Sequence, residues 1–171
     1  MEEHGYAQGN ESLIEHEIIS VNKFLLLNVL SFNLYTVWWT YKTWRLIKEK
    51  DHSDIEPVWR AIFSIFFLYT MFVQIQEWAH YFDYKKSFSS SLFFVFVILL
   101  VPISYLPEPF SYITFLSPLL YIPAVEALNF AVWHDAGFDH FRNDEFNQRQ
   151  KTLMVCGGLL WLIVIWGLVS T

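Results

Sequence analysis

The sequence predicts an all-α integral membrane bundle: four transmembrane helices with one short re-entrant or interfacial helix between the first two. Three observations carry that reading. Only 16% of the 171 residues are charged and 54% are hydrophobic, whereas a soluble domain of this size carries about a quarter charged residues. Uncharged runs of crossing length recur along the chain. The basic residues gather just beyond the ends of those runs, as they do in membrane proteins of fixed orientation.

Residues 1–22 form an acidic N-terminal tail, with Glu2, Glu3, Glu11, Glu15 and Glu17 and no Lys or Arg. The patch SLIEHEIISV within it is weakly amphipathic and is expected as a short surface helix. An acidic start with no small-residue cleavage site does not resemble a signal peptide. Residues 23–171 are expected as a single transmembrane helical domain.

The first span is expected over about residues 24–44, which as one helix would extend roughly 30 Å. Trp38, Trp39, Tyr41 and Trp44 form an aromatic belt at its end, followed by Lys42, Arg45, Lys48 and Lys50. Asn33, Thr36, Thr40 and Thr43 lie on one face and Asn28, Ser31 and Tyr35 on the other. Such small polar residues let helices approach and hydrogen-bond. Pro57 is placed to open the next helix. Ala61–Val73 is apolar for 13 residues only, roughly 20 Å as a helix, so a short inserted helix is expected over about 59–76. Further spans are expected over about 88–106, 110–132 and 152–170, with a tight turn at Leu106–Pro109.

Charge placement predicts the threading. If the short segment does not cross, ten of the eleven bases share the cytoplasmic side and only Lys23 stays outside; if it crosses, the division is five to six. The first arrangement obeys the positive-inside tendency. It places the N-terminus outside.

Few residues offer chemistry. Glu126 and Asn129 share a helical face in an apolar span, a candidate polar site that Arg60 and Gln74 are placed to complete. Its plainer role is a hydrogen-bonded contact between helices. Lys42, Arg45, Lys48 and Lys50 are candidate contacts for anionic lipid, though orientation alone accounts for them. His134, Asp135, Asp139 and His140, with His80 and Asp83 upstream, match no zinc spacing and read as solvated loop. No cofactor is implied. Cys156, the single cysteine, reads as a buried inert thiol, and Gly157, Gly158 and Gly167 as sites of close helix packing. With its bases committed to topology, the chain has no basic surface for nucleic acid.

Three segments, TVWWTYKTWRLIKEK (Thr36–Lys50), PVWRAIFSIFFLYTMF (Pro57–Phe72) and NQRQKTLMVCGGLLWLIVIWGL (Asn147–Leu168), resemble a family of small bacterial integral membrane proteins. The first resembles a domain of unknown function in which a Tyr/Trp-rich helix end precedes Lys-x-Trp. The resemblance implies a multispan protein of the bacterial inner membrane and brings no catalytic residues. The expected role is a non-enzymatic membrane component that contacts the lipid bilayer, another membrane protein or a second copy of itself. The alternatives are a small transporter or channel subunit using Glu126, and a lipid-modifying enzyme using the His/Asp loop.

Overall fold

A computed structural model describes residues 14–107, 110–142 and 146–170 of the chain. Most of the acidic tail, and the second half of the Leu106–Pro109 turn, lie outside the described residues. Among the described residues the fold is helical except for one small strand pair.

Residues expected as a surface helix instead form strand β1, Ile14–Ile18, paired in parallel with β2, Phe138–Arg142. The register runs from Ile14 opposite Phe138 to Ile18 opposite Arg142. At a strand's two-residue period, Ile14, His16 and Ile18 fall on one face and Glu15 and Glu17 on the other. The pairing joins the start of the chain to the link between the last two helices.

Helix α1, Val21–Leu30, is capped by Ser20, whose Oγ accepts from the Lys23 amide at 3.3 Å. It ends at a reversal rather than continuing. Phe32 and Asn33 have φ values of 51° and 67°, in the left-handed region. The Asn33 amide reaches back to the Asn28 carbonyl at 2.8 Å, closing the turn. Helix α2, Leu34–Asp51, then folds back on α1, bringing the rings of Tyr35 and Trp39 to 6.1 and 5.7 Å from that of Phe24. In one straight helix, Phe24 and Trp39 would stand about 22 Å apart along the axis. The single span expected over residues 24–44 is therefore a helical hairpin. Its cause lies in Asn28, Ser31 and Asn33, whose side chains offer the backbone local partners that compete with helical bonds.

Helix α3, Pro57–Ile62, starts on its proline and passes at Phe63 into α4, Ser64–Tyr81. Together they extend at both ends beyond the expected inserted helix. Helix α4 buries Leu68, Met71, Phe72, Ile75 and Trp78 on one face and leaves Phe66, Glu77 and His80 exposed on the other. That two-faced pattern fits a helix half covered by protein.

Helix α5, Ser90–Ile103, has 14 residues, fewer than the span expected there. A 3₁₀ segment, Phe110–Tyr121, packs against it and runs on into α6, Ile122–His134. So long a 3₁₀ run is unusual; Pro118 lies inside it, and its missing N–H removes one helical bond. Helix α7, Gln148–Val169, opens with a capping box in which Asn147 and Gln150 bond each other's backbones. Among the described residues, two stretches are long and apolar enough to cross a membrane, Tyr112–His134 and Gln148–Gly167.

The core is aromatic. Trp39 and Phe72 meet the ring of Tyr121 edge-on at 6.0 and 5.6 Å, a geometry that aromatic quadrupoles favour. Helix α7 packs beside α1 and receives the tip of the hairpin. Trp161 stacks on Phe32 at 4.8 Å and donates from Nε1 to the Val29 carbonyl at 2.9 Å. A Cβ on Gly157 would come within 2.2 Å of the Leu30 carbonyl oxygen, a backbone atom that cannot swing aside. By contrast, nothing lies within 4 Å of the same position on Gly158 or Gly167.

Gly157→Ala should accordingly lower stability by about 1–3 kcal/mol through overpacking, while Gly158→Ala should stay within about 0.5 kcal/mol of the parent. Thermal unfolding of the two variants in detergent checks the contrast. Equal effects would mean that α7 does not seat on the hairpin at Gly157.

Candidate functional site

Two polar regions stand out, one inside the hairpin and one at the end of the molecule that carries the strands. The first is built by the reversal itself. Asn28 is fully buried; its Nδ2 donates to the Phe24 carbonyl at 3.0 Å and its Oδ1 accepts from Thr36 Oγ1 at 2.7 Å. Ser31 Oγ accepts from the Tyr35 amide at 2.9 Å, so it starts α2 as it ends α1. Asn33 Nδ2 donates across to the Thr114 carbonyl at 3.1 Å and to Ser117 Oγ at 3.2 Å. These bonds tie the hairpin to the 3₁₀ segment. Among the described residues, Asn33 Oδ1 is buried with no partner. The arrangement can hold a bent backbone in apolar surroundings. It contains no titratable group and no nucleophile placed beside a base.

The second region gathers around the middle of α6. Lys86 Nζ bonds Glu126 Oε2 at 3.1 Å, with both side chains open to solvent. Asn129 Nδ2 donates to the Ile19 carbonyl at 2.7 Å, fastening α6 to the link between β1 and α1. A shallow cleft beside it is lined by Ile19, Tyr35, Trp39, Lys42, Thr43 and Asn129. The Glu126 contact governs its neighbours. Its hydrogen bond, and then its negative charge, hold the Lys86 ammonium above the ordinary lysine pKa. Burial, followed by the Glu126 charge, pushes the Tyr84 phenol up as well, partly offset by Lys86.

The residues expected to meet here do not all do so. Glu126 and Asn129 share one face of α6, but Glu126 pairs with Lys86. Arg60 instead sits over the rings of Trp44 and Phe67, at 4.4 and 5.1 Å from their centroids. Gln74 is separate, its Oε1 buried without a partner among the described residues. The pairing of Glu126 with Lys86 depends on a fold-back that spacing does not reveal.

The basic run on α2 is partly compensated within the chain. Arg45 bonds Glu49 at 3.1 Å and Lys50 bonds Asp51 at 2.7 Å. Lys50 also lies 5.5 Å from the ring of Trp78, Lys42 lines the cleft, and Lys48 is half-buried on α2. In the His/Asp loop, Asp135 accepts from Trp78 Nε1 at 2.9 Å and from the Gly137 amide at 2.9 Å. The contact fixes the end of α4 against the end of α6 and had no signal in the sequence. His134 bonds its own helix at the Phe130 carbonyl. Among the described residues, no group of three His, Cys, Asp or Glu side chains is placed to hold a metal. Cys156 is exposed on α7, rather than buried.

The helical hairpin, the crossing-length helices and the one-sided polar end define the architecture; no family model, curated protein or solved structure matches the chain. The resemblance to small bacterial membrane proteins therefore rests on the three quoted segments alone.

Because the pKa of Lys86 is raised on folding, its contribution to stability is complete below the ordinary lysine pKa and is lost as pH rises through the raised one. Glu126→Gln should bring the Lys86 titration down towards the ordinary lysine range. It should lower the Tyr84 titration as well. Side-chain NMR of protein labelled with carbon-13 at lysine and tyrosine checks both, and an unmoved Lys86 titration would remove Glu126 as its partner.

Proposed function

We propose that the chain is a multi-pass membrane protein that crosses the bilayer three times. In this arrangement the uncharged stretch Ser87–Pro107 that contains α5, the 3₁₀ segment with α6, and α7 cross, and α1–α2 enters from one side and returns to it. Helices α3 and α4 lie along the polar end. The chain acts as a non-enzymatic component through helix and lipid contacts.

One observation carries the reading. The outer surface of α5, the 3₁₀ segment and the second half of α7 is an apolar belt that includes Phe96, Leu99, Leu116, Leu160, Ile163 and Trp166. The proposed arrangement sets all eleven bases towards the other end. Lys23 joins them there, because its ammonium lies over the Phe146 ring just before α7. The threading expected from sequence left Lys23 outside with the N-terminus. With β1 paired to β2, both segments share one side, and the division of bases becomes eleven to none. That is the stronger form of the positive-inside bias, and it supports a cytoplasmic N-terminus.

The contact role is favoured over an ion pathway by the position of Glu126. A proton or ion relay needs an ionisable group facing the interior of the bundle. Here the carboxylate meets an exposed lysine at the polar end.

Impermeant thiol labelling of intact cells tests the arrangement, in a background with Cys156 replaced by Ala. Single cysteines at Asn22, Ser53 and Ser87 should label only after permeabilisation, and one at Tyr105 should label from outside. Labelling of Asn22→Cys in intact cells would restore a crossing first helix and overturn the three-pass arrangement.

A further inference from the structure

We infer that Arg60 is a binding residue for the phosphate of an anionic phospholipid headgroup, an assignment that rests on the membrane reading above. The guanidinium sits in the corner between the rings of Trp44 and Phe67, which are nearly perpendicular at 88°. Aromatic faces hold an arginine cation in place. They leave its N–H edge free to bond. Among the described residues that edge has no carboxylate partner, whereas Arg45 and Lys50 are each paired with an acid on their own helix. Arg60 is thus a cation held in a fixed orientation with no acid set against it among the described residues.

Its surroundings match a bilayer interface. Trp44 follows the hairpin turn by about 16 Å of helix, close to the length of α1, so the Arg60 seat lies level with the point where α1 begins. Val58, Trp59, Ile62, Phe63 and Phe66 stand exposed around it, with Trp59 and Phe63 stacked at 5.8 Å. Tryptophan and arginine at the edge of an apolar surface suit the headgroup boundary. A planar guanidinium can also bond a phosphate through two parallel N–H groups, which a lysine cannot do. An exposed apolar rim and a positioned cation together complement a lipid with an apolar tail and an anionic head.

The test uses the full chain in nanodiscs of phosphatidylcholine alone or of phosphatidylcholine with phosphatidylglycerol. Thermal midpoints are read alongside the phosphatidylglycerol retained on delipidation, by mass spectrometry. Phosphatidylglycerol should raise the parent midpoint. Arg60→Met, which keeps an apolar stem against Trp44, should lose most of that rise and bind the lipid roughly tenfold more weakly, as expected for one charge-assisted bond. Arg60→Lys should retain part of the effect, and Arg45→Gln nearly all of it. Inorganic phosphate at matched concentration should leave the midpoint unchanged. The assignment is overturned if Arg60→Met responds to phosphatidylglycerol as the parent does, or if inorganic phosphate reproduces the shift. Should Arg60→Met fail to fold, equal lipid retention by Arg60→Lys and the parent would overturn the phosphate fork. Alkaline extraction separates this failure from failure of the membrane reading, since all variants should remain in the membrane pellet.

Discussion

The reversal of the chain between Ser31 and Asn33 is the constraint on which the other elements depend. It fixes which ends of α1 and α2 lie together, and it forms the surface on which α7 and the 3₁₀ segment settle. A helix broken in apolar surroundings exposes backbone N–H and C=O groups, each unsatisfied group costing several kcal/mol. Such a break persists only where protein covers it. Here the cover is specific: the Asn33 amide closes on the Asn28 carbonyl, Ser31 caps α2, and Trp161 of α7 reaches the Val29 carbonyl.

Magnitudes show why this turn needs many partners. A single side-chain hydrogen bond between membrane helices contributes on average about 0.6 kcal/mol and at most about 1.7. No one bond could offset a phenylalanine at positive φ, which Phe32 adopts. The strain is met by the sum of the Asn28, Ser31 and Asn33 bonds, by stacking of Phe32 on Trp161 and by its edge contact with Phe115. Gly157 contributes by what it lacks, since any side chain there would meet the Leu30 backbone.

Much of the helical framework was legible in the sequence. The uncharged runs located α7 and the 3₁₀–α6 rod, Pro57 marked the start of α3, and the short run Ala61–Val73 indicated a separate helix, which packs against α5 and α6. The hairpin was not legible, because its apolar flanks are continuous and the count of residues equals that of one span. Its signal was present in Asn28, Ser31 and Asn33, which were read as packing stripes on a straight helix. Local bonding by Asn and Ser serves either arrangement, and only tertiary cover decides between them. The strand pair was missed for a related reason. Ile14–Ile18 and Phe138–Arg142 are distant in sequence, so neither shows its partner. For the candidate site, Glu126 and Asn129 were identified as polar residues on one face, but Lys86 and the Ile19 carbonyl come from segments whose approach depends on the fold. Arg60 followed the same rule, since its aromatic seat is built from two helices.

The hairpin also decides which charges share an end of the molecule. With α1 and α2 antiparallel in the sequence of contacts, Lys23 and the bases of α2 lie at one end, and β1 can reach β2 without crossing the molecule. The most direct measurement is the distance between spin labels placed at Asn22 and Arg45, both exposed, by pulsed electron resonance in nanodiscs. Packed antiparallel helices place the two sites within about 25 Å of each other, given helix axes about 8–10 Å apart. A distribution centred near about 35 Å, the length of one straight helix over that interval, would contradict the hairpin and the arrangement built on it.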